Sequence, residues 1–263
     1  MREKLDHLQN ILRDHEPLLI AYSGGVDSTL LLAEAHRALG DRALGVIADS
    51  PSLPRKALAE ALAVAEKIGA RVEVIPTREL EDPRYASNPV NRCYFCKAEL
   101  FLRLDSLAKE RGYTAIAYGE NADDMHHDRP GRGAASEFSV LAPLRDAGFT
   151  KAEIRTRSAE LGLPTADAPA QPCLSSRIPH GTPVTREALD MVENAEDWVR
   201  SLGFSIFRVR HLVAPDGPPR ARVMVAPGEF FKLPPLTSRL TDGLLAIGYG
   251  AVEIDPDGYR SLA

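Results

Sequence analysis

Ser23-Gly24-Gly25-Val26-Asp27-Ser28 stands directly after the apolar run Leu18–Tyr22 and opens a helical pattern, Ser28–Leu39. A strand, a glycine turn and a helix start in succession aim backbone N–H groups and the positive end of a helix at one point, as an anion requires. The glycines let the backbone approach phosphate oxygens, Ser23 and Ser28 offer hydroxyls, and Asp27 suits Mg²⁺. Glycines used for geometry alone would give an ordinary strand-to-helix turn, but six fitting residues in this place favour a phosphate site. No Gly-x-x-x-x-Gly-Lys-Ser/Thr occurs, which excludes a Walker-type loop.

Outward from this loop, Ala43–Ala48, Arg71–Ile75 and Thr114–Tyr118 read as further strands, with helices over Pro54–Ile68 and Phe95–Arg111. Gly40, Gly69 and Gly112 follow the three helices and suit left-handed C-caps. This alternation predicts βαβ units on a mainly parallel sheet. Leu5, Leu8, Ile11 and Leu12 mark an amphipathic leading helix, and Thr150-Lys151-Ala152-Glu153 is a capping box whose helix ends at Gly162. Pro164, Pro169, Pro172, Pro179 and Pro183 preclude a regular helix between them. Beyond lie a helix from Thr185 to Leu202, strands near Ser205–Leu212 and Arg220–Ala226, a helix near Phe230–Ile247 and a strand near Ala251–Asp255. The expected organisation is a phosphate-loop domain over residues 1–170, a proline-rich linker over 171–183 carrying Cys173, and a smaller α/β domain over 184–263.

Composition narrows the function classes. A net charge of −5 and 6% aromatic residues argue against a surface that grips or stacks on nucleic acid. The start, Met1-Arg2-Glu3-Lys4-Leu5-Asp6, lacks the apolar run of a signal peptide, and no long apolar stretch suits a membrane span; a cytoplasmic location is expected. The chain has three cysteines, Cys93, Cys96 and Cys173, an odd set that serves a metal or redox role better than a disulfide framework. A redox pair, half a zinc site, cluster ligands and idle thiols all remain open on spacing alone. A thioredoxin-like pair would not need the phosphate loop, and a closed zinc site wants four ligands, which His126-His127 would have to complete. Three thiolates on an iron–sulfur cluster leave one iron open for an added sulfur.

The hexapeptide resembles the SGGxDS motif of the PP-loop ATP pyrophosphatases. That resemblance implies a Rossmann-like domain that cleaves ATP between its α and β phosphates, with Mg²⁺, to adenylate a carbonyl or carboxyl oxygen. It also points to Ser50 as an adenosine contact. Gly119-Glu120-Asn121-Ala122-Asp123-Asp124 falls at the carboxyl edge of the sheet, where such folds bind ligands, with Asn121 a nucleotide contact and Asp124 a second metal contact. In Pro172-Cys173-Leu174-Ser175-Ser176-Arg177-Ile178-Pro179-His180-Gly181, Arg177 and Ser176 could bind a phosphate, or the stretch could be a rigid linker whose arginine pairs with a carboxylate.

This segment resembles the CLxSRxPYG stretch of the LarE family, ATP-dependent sulfurtransferases of nickel-pincer nucleotide biosynthesis. Asn121-Ala122-Asp123-Asp124, Arg129-Pro130-Gly131, Thr150-Lys151-Ala152-Glu153-Ile154-Arg155 and Arg208-Val209-Arg210 extend the likeness over nearly the whole chain. It implies adenylation of pyridinium-3,5-dicarboxylate mononucleotide, conversion of its carboxylates to thiocarboxylates, a sulfide or other sulfur donor, and a homo-oligomer. Some members sacrifice the sulfur of the cysteine matching Cys173, whereas others hold a [4Fe-4S] cluster on three cysteines placed like Cys93, Cys96 and Cys173. The cluster type is expected here, with its open iron carrying the sulfide. Arg210 resembles a family arginine that holds the substrate phosphate, and Arg208 alternates with it onto the same strand face. His180 stands where tyrosine is usual, and His127-Asp128 where an Asp-Tyr pair is common. Glu196 and Glu229 match acidic family positions loosely and read more simply as surface carboxylates. The rival readings are a tRNA thiolase with three cluster cysteines, an ATP-dependent amidase, and a module that senses ATP without cleaving it.

Overall fold

The computed structural model describes residues 1–126, 130–169, 171–214 and 217–259, with the backbone alone at 126 and 130–132. The chain divides into two compact units, Met1–Glu79 with Asn91–Gln171, and Leu80–Val90 with Pro172–Ala263.

In the first unit, β1 (Leu18–Ala21), β2 (Ala43–Asp49), β3 (Val72–Pro76) and β4 (Ala115–Tyr118) form a parallel sheet in the order β3-β2-β1-β4. β1 is central, with Leu18 opposite Ala43 on one side and Ala115 on the other. Its alternating side chains feed two cores. Leu18 and Ile20 pack with α1 (Arg2–Asp14), α2 (Val26–Leu39) and α3 (Arg55–Ile68), whereas Leu19 packs with α4 (Arg92–Arg111) and α5 (Pro130–Glu137). Helices on both faces bury both sides of the sheet, which is why β1 reads as the continuous apolar run Leu-Leu-Ile-Ala. The Rossmann-like expectation holds: the chain has an α/β unit with a parallel sheet and a second, smaller unit.

Details differ from the sequence reading. Gly69 and Gly112 cap α3 and α4 in the left-handed conformation, but Gly40 combines φ 58° with ψ −130° because the chain continues into a 3₁₀ turn. α4 starts at Arg92, which places Cys93 in its first turn and Cys96 at the start of the second. Short helices at Pro83–Ala86, Pro130–Glu137 and Pro143–Asp146 begin at prolines, since a fixed φ and a missing N–H cost nothing at a first helical position.

The capping box opens α6 (Lys151–Glu160), with Thr150 Oγ1 accepting from the Glu153 N–H and the Glu153 side chain accepting from the Thr150 N–H. Lys4 Nζ lies 2.7 Å from Glu153. The Lys4 ammonium, followed by the Thr150 N–H, pulls the Glu153 carboxyl down to about 2. Its folded pKa lies below the unfolded value, so the interaction stabilises fully above about pH 4.5 and is lost as pH falls toward 2. Acid unfolding of Glu153→Gln should therefore show a shallower loss of stability between pH 4.5 and 2 than the parent, read from urea midpoints at each pH. On the neighbouring helix face, Arg157 Nε donates to fully buried Glu34 at 2.8 Å and ties α6 to α2.

The second unit carries α7 (Arg186–Ser201), β5 (Phe207–Ala214), β6 (Gly217–Val225), α8 (Leu233–Ile247) and β7 (Ala251–Ile254). β5 and β6 are antiparallel, and β7 joins β6 in parallel. Phe207, Val209, Ala221, Val223 and Val225 turn one sheet face to α7 and α8, burying Ala195, Val199, Leu240 and Leu244. Leu80–Val90 supplies Asn88, fully buried at φ 57°. Its amide donates to the carbonyls of Pro179 and Thr182, each at 2.8 Å, while the Gly181 N–H returns a bond to the Asn88 carbonyl.

Candidate functional site

The stretch between β1 and α2 forms a tight turn. Gly25 precedes the first turn of α2, whose leading N–H groups have no acceptor within the helix. Ser28 Oγ donates to the Gly25 carbonyl at 3.1 Å, accepts the Ser23 N–H at 3.2 Å and meets Ser23 Oγ at 3.0 Å. The two predicted hydroxyls therefore staple the loop at its two ends. Gly24 sits at φ 75°, and a Cβ there would lie 2.7 Å from Ala61 Cβ on α3. At Gly119, after β4, a Cβ would lie 2.7 Å from the Ser28 nitrogen. Gly119→Ala forces the loop to shift, at about 1–3 kcal/mol for an overpacked contact. Calorimetry with a non-hydrolysable ATP analogue should show about tenfold weaker binding, the same overpacking cost seen in the ligand.

A cavity of about 240 Å³ opens beside this turn, lined by Ser23, Gly25, Asp27 and Ser28 at one end and by Val46, Ile47, Leu53, Leu100 and Phe101 along an apolar wall. A polar end built from a helix N-terminus and an apolar wall suit phosphates and a nucleoside respectively. Two lysines in this region carried no role in the sequence reading. Lys97, also lining the cavity, lies 4.8 Å from the centre of the Tyr118 ring. Lys151 Nζ donates to Asp27 Oδ2 at 2.7 Å. Among the described residues, Asp27 Oδ1 is buried without a hydrogen-bond partner.

The other predicted contacts have structural partners. Ser50, after β2, is buried, donates to Glu79 and accepts the Ser52 N–H. Asn121 Oδ1 accepts the N–H groups of Asp123 and Asp124, and Asp124 Oδ2 accepts the Asn121 N–H at 3.3 Å, closing a buried turn at the carboxyl edge of the sheet. Beside it, Glu120 accepts from Tyr118 Oη and Arg145 Nη1, each at 2.7 Å. His127, Asp128 and Arg129 lie outside the described residues.

Cys93 and Cys96 stand one helical turn apart, a spacing that sets both thiols on one side of α4; Cys93 is exposed and Cys96 half-buried. Cys173, in the second unit, is half-buried just before a 3₁₀ turn, Leu174–Arg177. Among the described residues no three His, Cys, Asp or Glu side chains gather as a ready metal site.

In the second unit Arg177 is buried and fully engaged. Nε and Nη2 fork onto Glu196 at 2.8 and 2.9 Å, and Nη1 donates to the carbonyls of Pro172 and Cys173 and to Ser176 Oγ. A phosphate at Arg177 would have to compete with Glu196. Glu196 is thus buried, not a surface carboxylate, and also accepts the Val209 N–H. Glu229, likewise sheltered, accepts the N–H groups of Ser205 and Ile206 at the entry to β5. Arg208 and Arg210 share the sheet face away from the helices, Arg210 exposed and Arg208 half-buried, stacked 4.6 Å from the Tyr259 ring centre. Burial, then the nearby Arg177 charge, lowers the Arg208 pKa. His180 is exposed.

No protein-family model matches the chain. It is 33% identical over 253 residues to the pyridinium-3,5-bisthiocarboxylic acid mononucleotide synthase of Lactiplantibacillus plantarum, covering 95% of this chain and 89% of that protein. The chain belongs to the LarE family. An uncharacterised protein of Synechocystis sp. is 40% identical over 99% of this chain and 96% of its own length. A glutamine-hydrolysing GMP synthase of Chlamydia muridarum is 26% identical over 74% of this chain, which spans 41% of that protein. LarE membership and the GMP synthase likeness make this an ATP-utilising enzyme of the PP-loop ATP pyrophosphatase type, consistent with the loop at Ser23–Ser28. Among the described residues no helix is long and apolar enough to cross a membrane.

Proposed function

We propose that this enzyme converts the carboxylates of pyridinium-3,5-dicarboxylate mononucleotide to thiocarboxylates at the expense of ATP. The near full-length likeness to the Lactiplantibacillus synthase carries this reading. ATP is needed because a carboxylate has only oxide to expel. Attack of its oxygen on the α-phosphorus releases pyrophosphate and leaves an acyl-adenylate, whose leaving group is AMP. A sulfur nucleophile then displaces AMP, and no strong base is required because hydrosulfide is already present near neutral pH and is a strong nucleophile.

The chain's own residues divide the work. N–H groups at Gly24, Gly25 and the start of α2, with Ser23 and Ser28, hold the departing pyrophosphate. Asp27, with one carboxylate oxygen buried and without a partner among the described residues, fits Mg²⁺, which needs few protein ligands beside phosphate oxygens. Asp124 is the second acidic group for the metal, and Ser50 and Asn121 border the nucleoside. Ser176, Arg177, Arg208 and Arg210 are the cations and donor assigned to the substrate phosphate, with Arg210 the most accessible. Cys93 and Cys96, one turn apart at the start of α4, suit two ligands of a [4Fe-4S] cluster, with Cys173 the third. When bound, that cluster supplies the transferred sulfur and spares Cys173 from consumption.

The test uses anaerobically purified, cluster-reconstituted protein with ATP, Mg²⁺ and sulfide, offered either the mononucleotide or bulk tRNA. AMP together with a thiocarboxylate product, formed only with the mononucleotide and over repeated turnovers, is the expected result. AMP released only with tRNA would overturn the substrate and leave the ATP chemistry standing, and one turnover with loss of the Cys173 sulfur would overturn the cluster.

A further inference from the structure

We infer that Lys151 is a stand-in counter-charge at Asp27, which must release the carboxylate before Mg²⁺ can be held there and then pairs with the nucleotide's phosphates. The inference rests on the phosphate-loop reading of Asp27 and is independent of which acceptor is adenylated.

Three observations carry it. First, Lys151 Nζ is 2.7 Å from Asp27 Oδ2, whereas Oδ1 of the same carboxylate is buried and has no partner among the described residues. A carboxylate with one oxygen on an ammonium and the other buried without a partner among the described residues is half-satisfied, and a cation that takes both oxygens must displace the ammonium. Secondly, the base of Lys151 is fixed while its side chain is partly exposed. Its N–H donates to Asp123 Oδ2 at 2.7 Å, the capping box sets the preceding residue, and Lys4 holds that box from outside through Glu153. The side chain itself is 41% exposed, so its four methylenes can swing about an anchored Cα. Thirdly, Asp27 lines the cavity beside Ser23, Gly25 and Ser28, so an ammonium released from it stays within reach of whatever anion the loop binds.

The exchange is electrostatically balanced. Without nucleotide, the Lys151 charge offsets the Asp27 carboxylate, and no strong bare anion site faces incoming phosphate. An arriving triphosphate brings four negative charges and a magnesium ion, so both partners of the ion pair gain a better opposite charge than they lose. The ion pair thus acts as an occupancy latch, and it also keeps the nucleotide-free loop from loading metal alone.

The test reads metal and nucleotide binding separately. Mn²⁺ affinity is measured by electron paramagnetic resonance without nucleotide, and calorimetry follows a non-hydrolysable ATP analogue with Mg²⁺, for the parent, Lys151→Met, Lys151→Arg and Asp27→Asn. Lys151→Met should bind Mn²⁺ alone about three- to fivefold more tightly, the scale of a partly exposed ion pair removed as competitor. The same variant should bind the analogue about tenfold more weakly, the scale of one charge-assisted hydrogen bond, with Lys151→Arg recovering most of that loss. Unchanged Mn²⁺ affinity and unchanged analogue affinity in Lys151→Met, with both impaired in Asp27→Asn, would overturn the latch and leave the loop intact. If Asp27→Asn alters neither affinity, the reading of Asp27 as a metal contact fails, and the latch with it.

Discussion

Asp27→Asn is expected to lower AMP release by about 10²–10³-fold, the scale of removing one group that anchors charge on the leaving group. Asn keeps the shape and the N-terminal position on α2 but removes the charge that fits a metal and receives Lys151. The Lys151 ion pair is partly exposed, which makes its loss a small matter for stability, so the melting temperature should shift by no more than about 2–4 °C, equivalent to about 1 kcal/mol. Single-turnover AMP formation, quenched and separated by chromatography, checks the rate. A rate within threefold of the parent would remove Asp27 from the ATP chemistry.

The second large effect concerns stability. Glu196→Ala leaves the Arg177 guanidinium buried without its carboxylate, close enough to Arg208 for the two charges to repel. Breaking one partner of a buried ion pair costs about 3–5 kcal/mol. The chain's one tryptophan, Trp198, lies on α7 two residues beyond Glu196 and reports on the second unit. Its fluorescence should show the urea midpoint falling by more than about 1 M, given ordinary denaturant slopes. Arg177→Met with Glu196→Leu should recover much of the loss, since a well-packed apolar pair of similar volume replaces a buried ion pair at little cost. An unaltered midpoint in Glu196→Ala would show that the pair stabilises nothing.

These two sites also show what the sequence made legible. The parallel sheet followed from apolar runs alternating with helical patterns, because β1 is buried on both faces and has no polar side to obscure it. The loop and the Thr150 capping box are local in sequence, and their geometry is set by neighbours a few residues away. Lys151 opposite Asp27 was not legible, because 124 positions separate them and nothing in either residue's surroundings names the other. Lys97 over Tyr118 is hidden for the same reason. Glu196 did leave a signal: Leu189, Val192 and Val199 are buried at helical spacing around it, so a carboxylate on that stripe requires a buried partner. Arg177 is that partner, and its proline-rich surroundings gave no periodicity from which to infer its burial.

Asn88 carries a consequence for how the molecule is made. A ribosome delivers Leu80–Val90 long before Pro172–Ala263, yet that early piece belongs to the later unit. The first unit must close its sheet around a gap in its own sequence, while the excluded strip waits for carbonyls not yet synthesised. A fragment starting at Pro172 would lack the amide that gathers Pro179 and Thr182, and one ending at Gln171 would keep a buried-type asparagine with nothing to grip. A single cut at Gln171–Pro172 therefore parts Asn88 from the carbonyls it gathers, whereas a cut at Glu79–Leu80 leaves them on one piece.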